Sequence, residues 1–244
     1  MLAIESMADR FEYTYIGGEL DLFALAKNWK NYVKNRIADY IRGDVLEVGA
    51  GIGGTTVALH DGIARHWVCL EPDTVLAMRL HDRLRTFKGY STISIAVGTL
   101  DAFASYPCFD CILYIDVLEH IEDDHLQIET ASRLVRPGGH IVIVSPAHMW
   151  LFSEFDKSVG HLRRYNKDGI RQLKPDDCIE QNLTYLDSIG ILLSLGNVVV
   201  LRRTIPSEAQ ILTWDRLCIP VSRLVDRLLL GTVGKSILAV WRKQ

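Results

Sequence analysis

The chain has 244 residues, 48% of them hydrophobic and 23% charged, which suits one globular domain with some elaboration and enough apolar side chain for a large core. Its formal net charge of −3 at pH 7 excludes the basic field that draws nucleic acid to a protein, so no nucleic-acid partner is expected. Five cysteines, an odd number with Cys69 and Cys111 in apolar stretches, point to reduced thiols and a cytoplasmic location. The start, MLAIESMADR, has no basic region leading into an apolar run, so no signal peptide is expected. The most apolar stretch, residues 189–201, is broken by Gly190, Ser194, Gly196 and Asn197 and is too short to span a bilayer, so no stable membrane insertion is expected.

Residues 1–18 carry Phe11, Tyr13, Tyr15 and Ile16 and end at Gly17-Gly18. They read either as a frayed terminus or as an aromatic flap over a bound ligand, because exposed aromatic rings are costly. From 19 to 42 the apolar residues Leu22, Leu25, Ala26, Trp29, Val33, Ile37 and Ile41 recur at helical spacing, and Gly43 is a plausible stop. This predicts one long amphipathic helix.

The stretch VLEVGAGIGGTT, residues 45–56, then reads as a buried strand running into a glycine turn and a helix over 54–61. Glycine permits backbone torsions that other residues resist and lets a ligand lie against the main chain. The spacing Gly49-x-Gly51-x-x-Gly54 also fits a dinucleotide fingerprint, so the turn alone leaves a nicotinamide cofactor open. Strands are expected at 66–70, 92–97, 111–115 and 140–144. Helices are expected from the Glu71-Pro72-Asp73 turn through 87 and over 122–135. This alternation implies right-handed crossovers and a parallel, doubly wound α/β sheet.

After Ser145-Pro146 the alternation stops. Residues 147–166 show no period, and a loop of about this length is usually functional. A helix at 167–173 and a strand at 179–187 return to the sheet, followed by a short apolar helix within 189–202. Ser207 and Gln210 then form a helix start. That helix carries Ile211, Leu212, Leu217, Val221, Leu224, Val225 and Leu228 with Arg216, Arg223 and Arg227 among them, and Pro220 should kink it. It reads as a cap packed on the sheet domain or, alternatively, as a helix lying on a membrane surface. A terminal strand over 236–240 closes the chain antiparallel to the rest. The domain reading is 1–43 for the flap and first helix, 44–145 for the cofactor-binding core, 146–230 for the substrate loop and cap, and 231–244 for the closing strand.

In open α/β sheets, ligands bind at the carboxyl ends of strands, which here carry Glu47 and the glycine turn, Glu71-Pro72, Thr99-Leu100-Asp101, Asp116, and His148. Glu47 needs a partner to sit among Val45, Leu46 and Val48. Glu71 can accept both hydrogen bonds of a ribose diol. Cys108-x-x-Cys111 has metal-ligand spacing but no second pair, so no metal centre is expected.

This set resembles the class I S-adenosylmethionine-dependent methyltransferases. VLEVGAGIGG is similar to that family's first motif, CLEPD to its second-strand acidic motif, YIDVLEHIEDD to its fourth-strand motif and LVRPGGHIVIVSP to its turn and fifth strand. GHLRRY, residues 160–165, resembles a bacterial small-molecule branch. The resemblance covers residues 40–148 and implies a Rossmann-like fold with S-adenosyl-L-methionine as cofactor. It further implies that Gly49, Gly51 and Gly53 pass around the methionine part and that Glu47 orders the turn or meets the amino group. Glu71 with Pro72 would hold the ribose, Thr99 and Leu100 would flank adenine, and Asp116 would lie near the methionine end. The third-strand motif departs from the family, with Thr99 where an acidic residue is common.

Methyl transfer requires nucleophile, methyl and sulfur to be held in line with water excluded. A nitrogen or oxygen nucleophile can also need a proton removed. His148 and His161 are the candidate bases, with Asp156 or Glu154 as an orienting group. Trp150, Arg163, Arg164 and Tyr165 are candidate substrate contacts, the arginines for an anionic group. Both arginines also read as staples of the loop through Glu154 or Asp156. The expected partner is a small molecule, and an oligomer is compatible with the sequence. Two other readings stand beside methyl transfer: a nicotinamide oxidoreductase using the same glycine turn, and a non-catalytic cofactor-binding module.

Overall fold

In the computed structural model, which describes residues 14–103, 107–196 and 205–244, seven strands form one sheet in the order β3-β2-β1-β4-β5-β7-β6. Strands β1 (Gly43–Val48), β2 (Ala64–Glu71), β3 (Ile93–Val97), β4 (Phe109–Ile115) and β5 (Val135–Pro146) run parallel; β7 (Ser236–Lys243) runs antiparallel to β5 and to β6 (Cys178–Leu186). The expected doubly wound, mostly parallel sheet with an antiparallel closing strand is present. Neighbouring strand residues point to opposite faces. Val45, Trp67, Cys111 and Val142 pack on one side, whereas Leu46, Val68, Ile112 and Ile141 pack on the other. Helices cover both faces, so the central stretches of β4 and β5, Ile112–Ile115 and Ile141–Val144, are apolar on both.

The strand order reverses between β1 and β4, which opens a crevice at their carboxyl ends. Gly49 follows β1 there and Asp116 follows β4. Helix α3 (Gly54–Leu59) leaves the glycine turn, while α4 (Thr74–Leu84) and α5 (Asp124–Leu134) follow β2 and β4. Asp73 caps α4 by accepting from the Val75 and Leu76 N–H groups at 2.7 and 3.0 Å.

The single helix expected over 19–42 is broken into α1 (Leu20–Ala24) and α2 (Lys27–Ile37). The cause lies far along the chain: the Asp215 carboxylate accepts the Asn28 and Trp29 N–H groups at 3.1 and 2.9 Å, capping α2 from outside. The loop over 147–166 is not structureless. It holds a single turn, Met149–Leu151, and a short helix α6 (Glu154–Ser158) with a capping box between Ser153 and Asp156. Helix α7 (Lys167–Leu173) follows, as expected.

The cap consists of α8 (Ser188–Gly196), α9 (Glu208–Thr213) and α10 (Ile219–Leu228), the last two joined by a wide turn, Trp214–Cys218. Pro220 stands just beyond that turn, which accommodates its missing N–H. Asp226 ties the cap down by accepting the Asp187 and Ser188 N–H groups at the start of α8 and the Tyr32 hydroxyl of α2. One face of the cap buries Ile211, Trp214 and Ile219, while Leu217, Val221, Leu224 and Leu228 remain exposed on the other. Of the terminal flap residues, Phe11 and Tyr13 lie outside the described residues. No described helix is long and apolar enough to cross a membrane.

Candidate active site

The glycine turn is held by backbone and carboxylate together. The N–H groups of Gly49 and Ala50 both donate to Leu70 O of β2, at 2.8 and 3.1 Å, while the Gly51 N–H donates to Glu71 Oε2 at 2.7 Å. Gly49 has φ +65°, and a Cβ there would stand 2.7 Å from Val117 Cγ2. Gly51 has φ +55°, and a Cβ there would meet Leu20 Cδ1 at 3.7 Å, an ordinary contact. The turn therefore presents bare main chain to whatever lies above it.

Two carboxylates stand beneath and beside the turn. Glu71, 4% exposed, also accepts the Asp73 N–H at 3.0 Å. Glu47 accepts from Thr56 Oγ1 at 2.8 Å and Trp67 Nε1 at 2.9 Å, which ties α3 to β1 and β2. Burial pushes Glu47 up to about 7 from 4.5, against the lowering effect of those bonds and with Glu71 adding to it. A folded pKa above the unfolded one means that the folded chain holds the proton more tightly. This group's contribution is therefore full below pH 4.5 and is lost as pH rises through about 7. Glu47→Gln, which keeps an acceptor, should remove a pH-dependent loss of about 3 kcal/mol. Urea midpoints measured across that range check this; parallel pH profiles for both proteins would refute it.

A cavity of about 590 Å³ opens from the glycine turn. It is walled by Phe23, Trp29, Leu151, Phe155 and Trp214, and its size suits a small ligand. Its polar end is built by Asp116, Glu119, His120 and His161, with Lys30 and Lys235 also on the lining. Asp116 takes φ +55° and, although deep in the molecule, is exposed to the cavity. Burial raises its pKa, against His161, Lys30 and Lys235. Glu119 is fully buried and is pushed up to about 8 by burial and by Asp116. Burial alone would lower the His161 ring. Its bond to Asp156, with the charges of Glu119, Asp156 and Asp116, holds it above its usual value. His161 Nδ1 lies 2.8 Å from Asp156 Oδ1, which turns Nε2 toward Glu119 Oε1 at 3.8 Å. Asp156 is itself held by Arg164, Nε to Oδ1 at 2.8 Å and Nη2 to Oδ2 at 2.9 Å, and by Ser153. Burial alone would raise this carboxyl, but those bonds hold it well below the usual range.

Residues 46–141 match the family model described as a methyltransferase domain. Norajmaline N-methyltransferase of Rauvolfia serpentina is 32% identical over 108 residues, 43% of this chain and 36% of that one. Ajmaline N-methyltransferase of the same organism is 28% identical over 198 residues, 78% of this chain and 61% of that one. Over residues 46–141 the chain is therefore similar to a methyltransferase domain, and its fold is that of the Rossmann-like methyltransferases. The chain spans less than two thirds of the length of both curated relatives. The solved N-methyltransferase NodS from Bradyrhizobium japonicum WM9, in complex with S-adenosyl-L-homocysteine, shares the fold at TM-score 0.57. That match covers 90% of this chain and 88% of that one at 15% identity.

The residues anticipated from sequence divide sharply. Gly49, Gly51, Asp116, His161 and Arg164 line the cavity. Asp156 stands directly behind His161. Gly53, at φ +76°, starts α3 behind the turn. Glu47 serves Thr56 and Trp67, whereas Glu71, Pro72, Thr99 and Leu100 stand at the ends of β2 and β3 outside the cavity lining. His148, at φ +66°, lies outside the cavity lining: its ring packs on Tyr185, with centroids 4.6 Å apart, and on Trp150, itself 57% exposed, at 5.4 Å. Arg163 pairs with Asp124 at 2.7 Å and Tyr165 donates to the same carboxylate, so both staple the loop to α5. Sequence reasoning missed Glu19, Lys30, Glu119, His120, Trp214 and Lys235. Glu119 and His120 stood visible beside Asp116; Lys235 carried no signal.

Proposed function

We propose that the chain transfers a methyl group from S-adenosyl-L-methionine to a small-molecule acceptor bound in the cavity. The observation that carries this reading is that the bare backbone of Gly49–Gly51 and the Asp116–Glu119–His161 cluster line one cavity of about 590 Å³. The donor set suits the cofactor. Gly51 adds no side chain to the turn, and Glu19 has a buried carboxylate oxygen on the cavity wall with no hydrogen-bond partner among the described residues. Such an oxygen fits a ligand ammonium, and Lys30, also on the lining, fits a ligand carboxylate. Glu71 and Pro72 would hold the ribose and Thr99 with Leu100 the adenine.

When bound, the cofactor supplies a methyl group on a sulfonium. The chain contributes position and dryness: the aromatic wall excludes water, and Asp116, Glu119 and His161 receive the polar end of the acceptor. Asp156 is a positioning residue that fixes the His161 ring through Nδ1. The two curated relatives and the solved neighbour are named N-methyltransferases, which makes a nitrogen acceptor the first to test. Arg163 is paired with Asp124 of α5 and Arg164 with Asp156 in the loop, so neither guanidinium is offered to an anionic group on the acceptor. The five cysteines are free thiols, which favours the cytoplasm. Residues 44–145 carry the cofactor, and 146–230, which also supply the edge strand β6, carry most of the acceptor side.

Thermal unfolding with S-adenosylhomocysteine and with NAD(H) tests this. At about a hundred times its dissociation constant, S-adenosylhomocysteine should stabilise by about 2.7 kcal/mol, a shift of about 5–10 °C. Stabilisation by NAD(H) alone would point to the oxidoreductase instead. Cofactor binding without turnover on any amine or hydroxyl acceptor would favour a non-catalytic module.

A further inference from the structure

Glu119, His120 and His161 each bring one ligand atom to the polar end of the cavity, and these three atoms lie within 4.8 Å of one another. Glu119 is fully buried, and its two oxygens differ. Oε2 accepts the Ser145 hydroxyl at 2.9 Å, whereas Oε1 has no hydrogen-bond partner among the described residues and faces His161 Nε2 at 3.8 Å. A buried carboxylate oxygen left in this way is costly unless something cationic meets it.

The two histidines are prepared in the manner of metal ligands. His161 is tied through Nδ1 to Asp156, which is locked by two bonds from Arg164, so Nε2 is the nitrogen directed at Glu119. A carboxylate behind an imidazole in this way fixes the tautomer and raises ligand basicity at metal sites. His120 is hydrogen-bonded to the Gly160 backbone, and its ring lies 4.6 Å from that of His161 at an interplanar angle of 80°. The two rings therefore meet edge to face rather than stacking. Zinc bound at about 2.1 Å from each donor separates tetrahedral ligands by about 3.4 Å. Closure by about 1 Å or a little more brings the three atoms to that spacing.

We propose that Glu119, His120 and His161 form a binding site for a divalent transition-metal cation, zinc being the representative, at the acceptor end of the cavity. Two imidazoles and one carboxylate are a borderline set that suits zinc better than magnesium. Three protein donors leave coordination positions open toward the cavity, which all three residues line. A cation there would take the acceptor's polar atom and favour its deprotonated form. Metal binding itself stands whether or not methyl transfer is the reaction, because its readout is metal content and affinity.

The test uses the full chain, tag-free and stripped with chelator, titrated with zinc alone and with magnesium alone by calorimetry, with the metal content of the dialysed protein measured in parallel. Glu119→Gln and His120→Ala are compared with Cys108→Ser, which removes the only Cys-x-x-Cys pair and serves as control; thermal melts establish that each variant folds. The expected result is one zinc per chain, tighter than magnesium, unchanged in Cys108→Ser and weakened at least tenfold in a folded Glu119→Gln or His120→Ala. No stoichiometric zinc in the unaltered protein, affinity lost in Cys108→Ser, or an affinity that neither ligand variant lowers overturns the site.

Discussion

Replacing Asp156 by alanine should lower the midpoint of thermal unfolding by about 6–20 °C, corresponding to about 3–5 kcal/mol for breaking a buried ion pair. Asp156 has no exposed surface and accepts five hydrogen bonds: the Ser153 N–H and hydroxyl, His161 Nδ1, and Nε and Nη2 of Arg164. Arg164 is itself only 9% exposed in its side chain, so removal of the carboxylate strands a guanidinium with little water to replace its partner. The damage is to position as well as stability, because the same carboxylate orients His161. Pairing the change as Asp156→Leu with Arg164→Met should recover part of the loss, since a buried pair replaced by apolar groups often costs little. A drop of under about 2 °C in Asp156→Ala would show that the loop over 147–166 is held chiefly by Arg163 and Tyr165 on α5.

The sheet was legible because its strands are continuous apolar runs, and the cofactor turn because glycine at φ +65° and +55° leaves a mark in composition. The break between α1 and α2 was not legible, since Leu25 and Ala26 are unremarkable helix formers and the stop is imposed by Asp215, 187 residues beyond Asn28. The same limit governs the site. Neighbouring arginines in GHLRRY look equivalent in sequence, yet Arg163 turns to Asp124 and Arg164 to Asp156. His148 follows β5, where a ligand group is expected, but its ring packs on Tyr185 outside the cavity lining. His161 reaches the Asp116–Glu119 end only because α6 and its capping box bring the loop back, a path no periodicity encodes. Local chemistry was readable, while partners separated by long stretches of chain were not.

Glu71→Ala should raise the dissociation constant for S-adenosylhomocysteine by about 10- to 150-fold, or about 1.5–3 kcal/mol. The carboxylate has two tasks. Its Oε2 accepts the Gly51 N–H at 2.7 Å and its Oε1 the Asp73 N–H at 3.0 Å, so it sets the shape of the glycine turn from below. Each carboxylate oxygen has a second acceptor position, which leaves one on each for a ribose diol. Alanine removes both functions, whereas Glu71→Gln keeps one acceptor and turns an amide donor against one of the two N–H groups. The two roles separate in the melting curve of the protein without ligand. If Glu71 acts mainly on the ribose, Glu71→Ala melts near the unaltered protein and loses only the ligand-induced shift. If it acts mainly through the turn, the melting point falls as well, because the Gly51 N–H is left without a partner beside an emptied buried site. Calorimetric affinity unchanged in a folded Glu71→Ala protein would remove this residue from the cofactor site, and with it the expectation that the ribose lies at the end of β2.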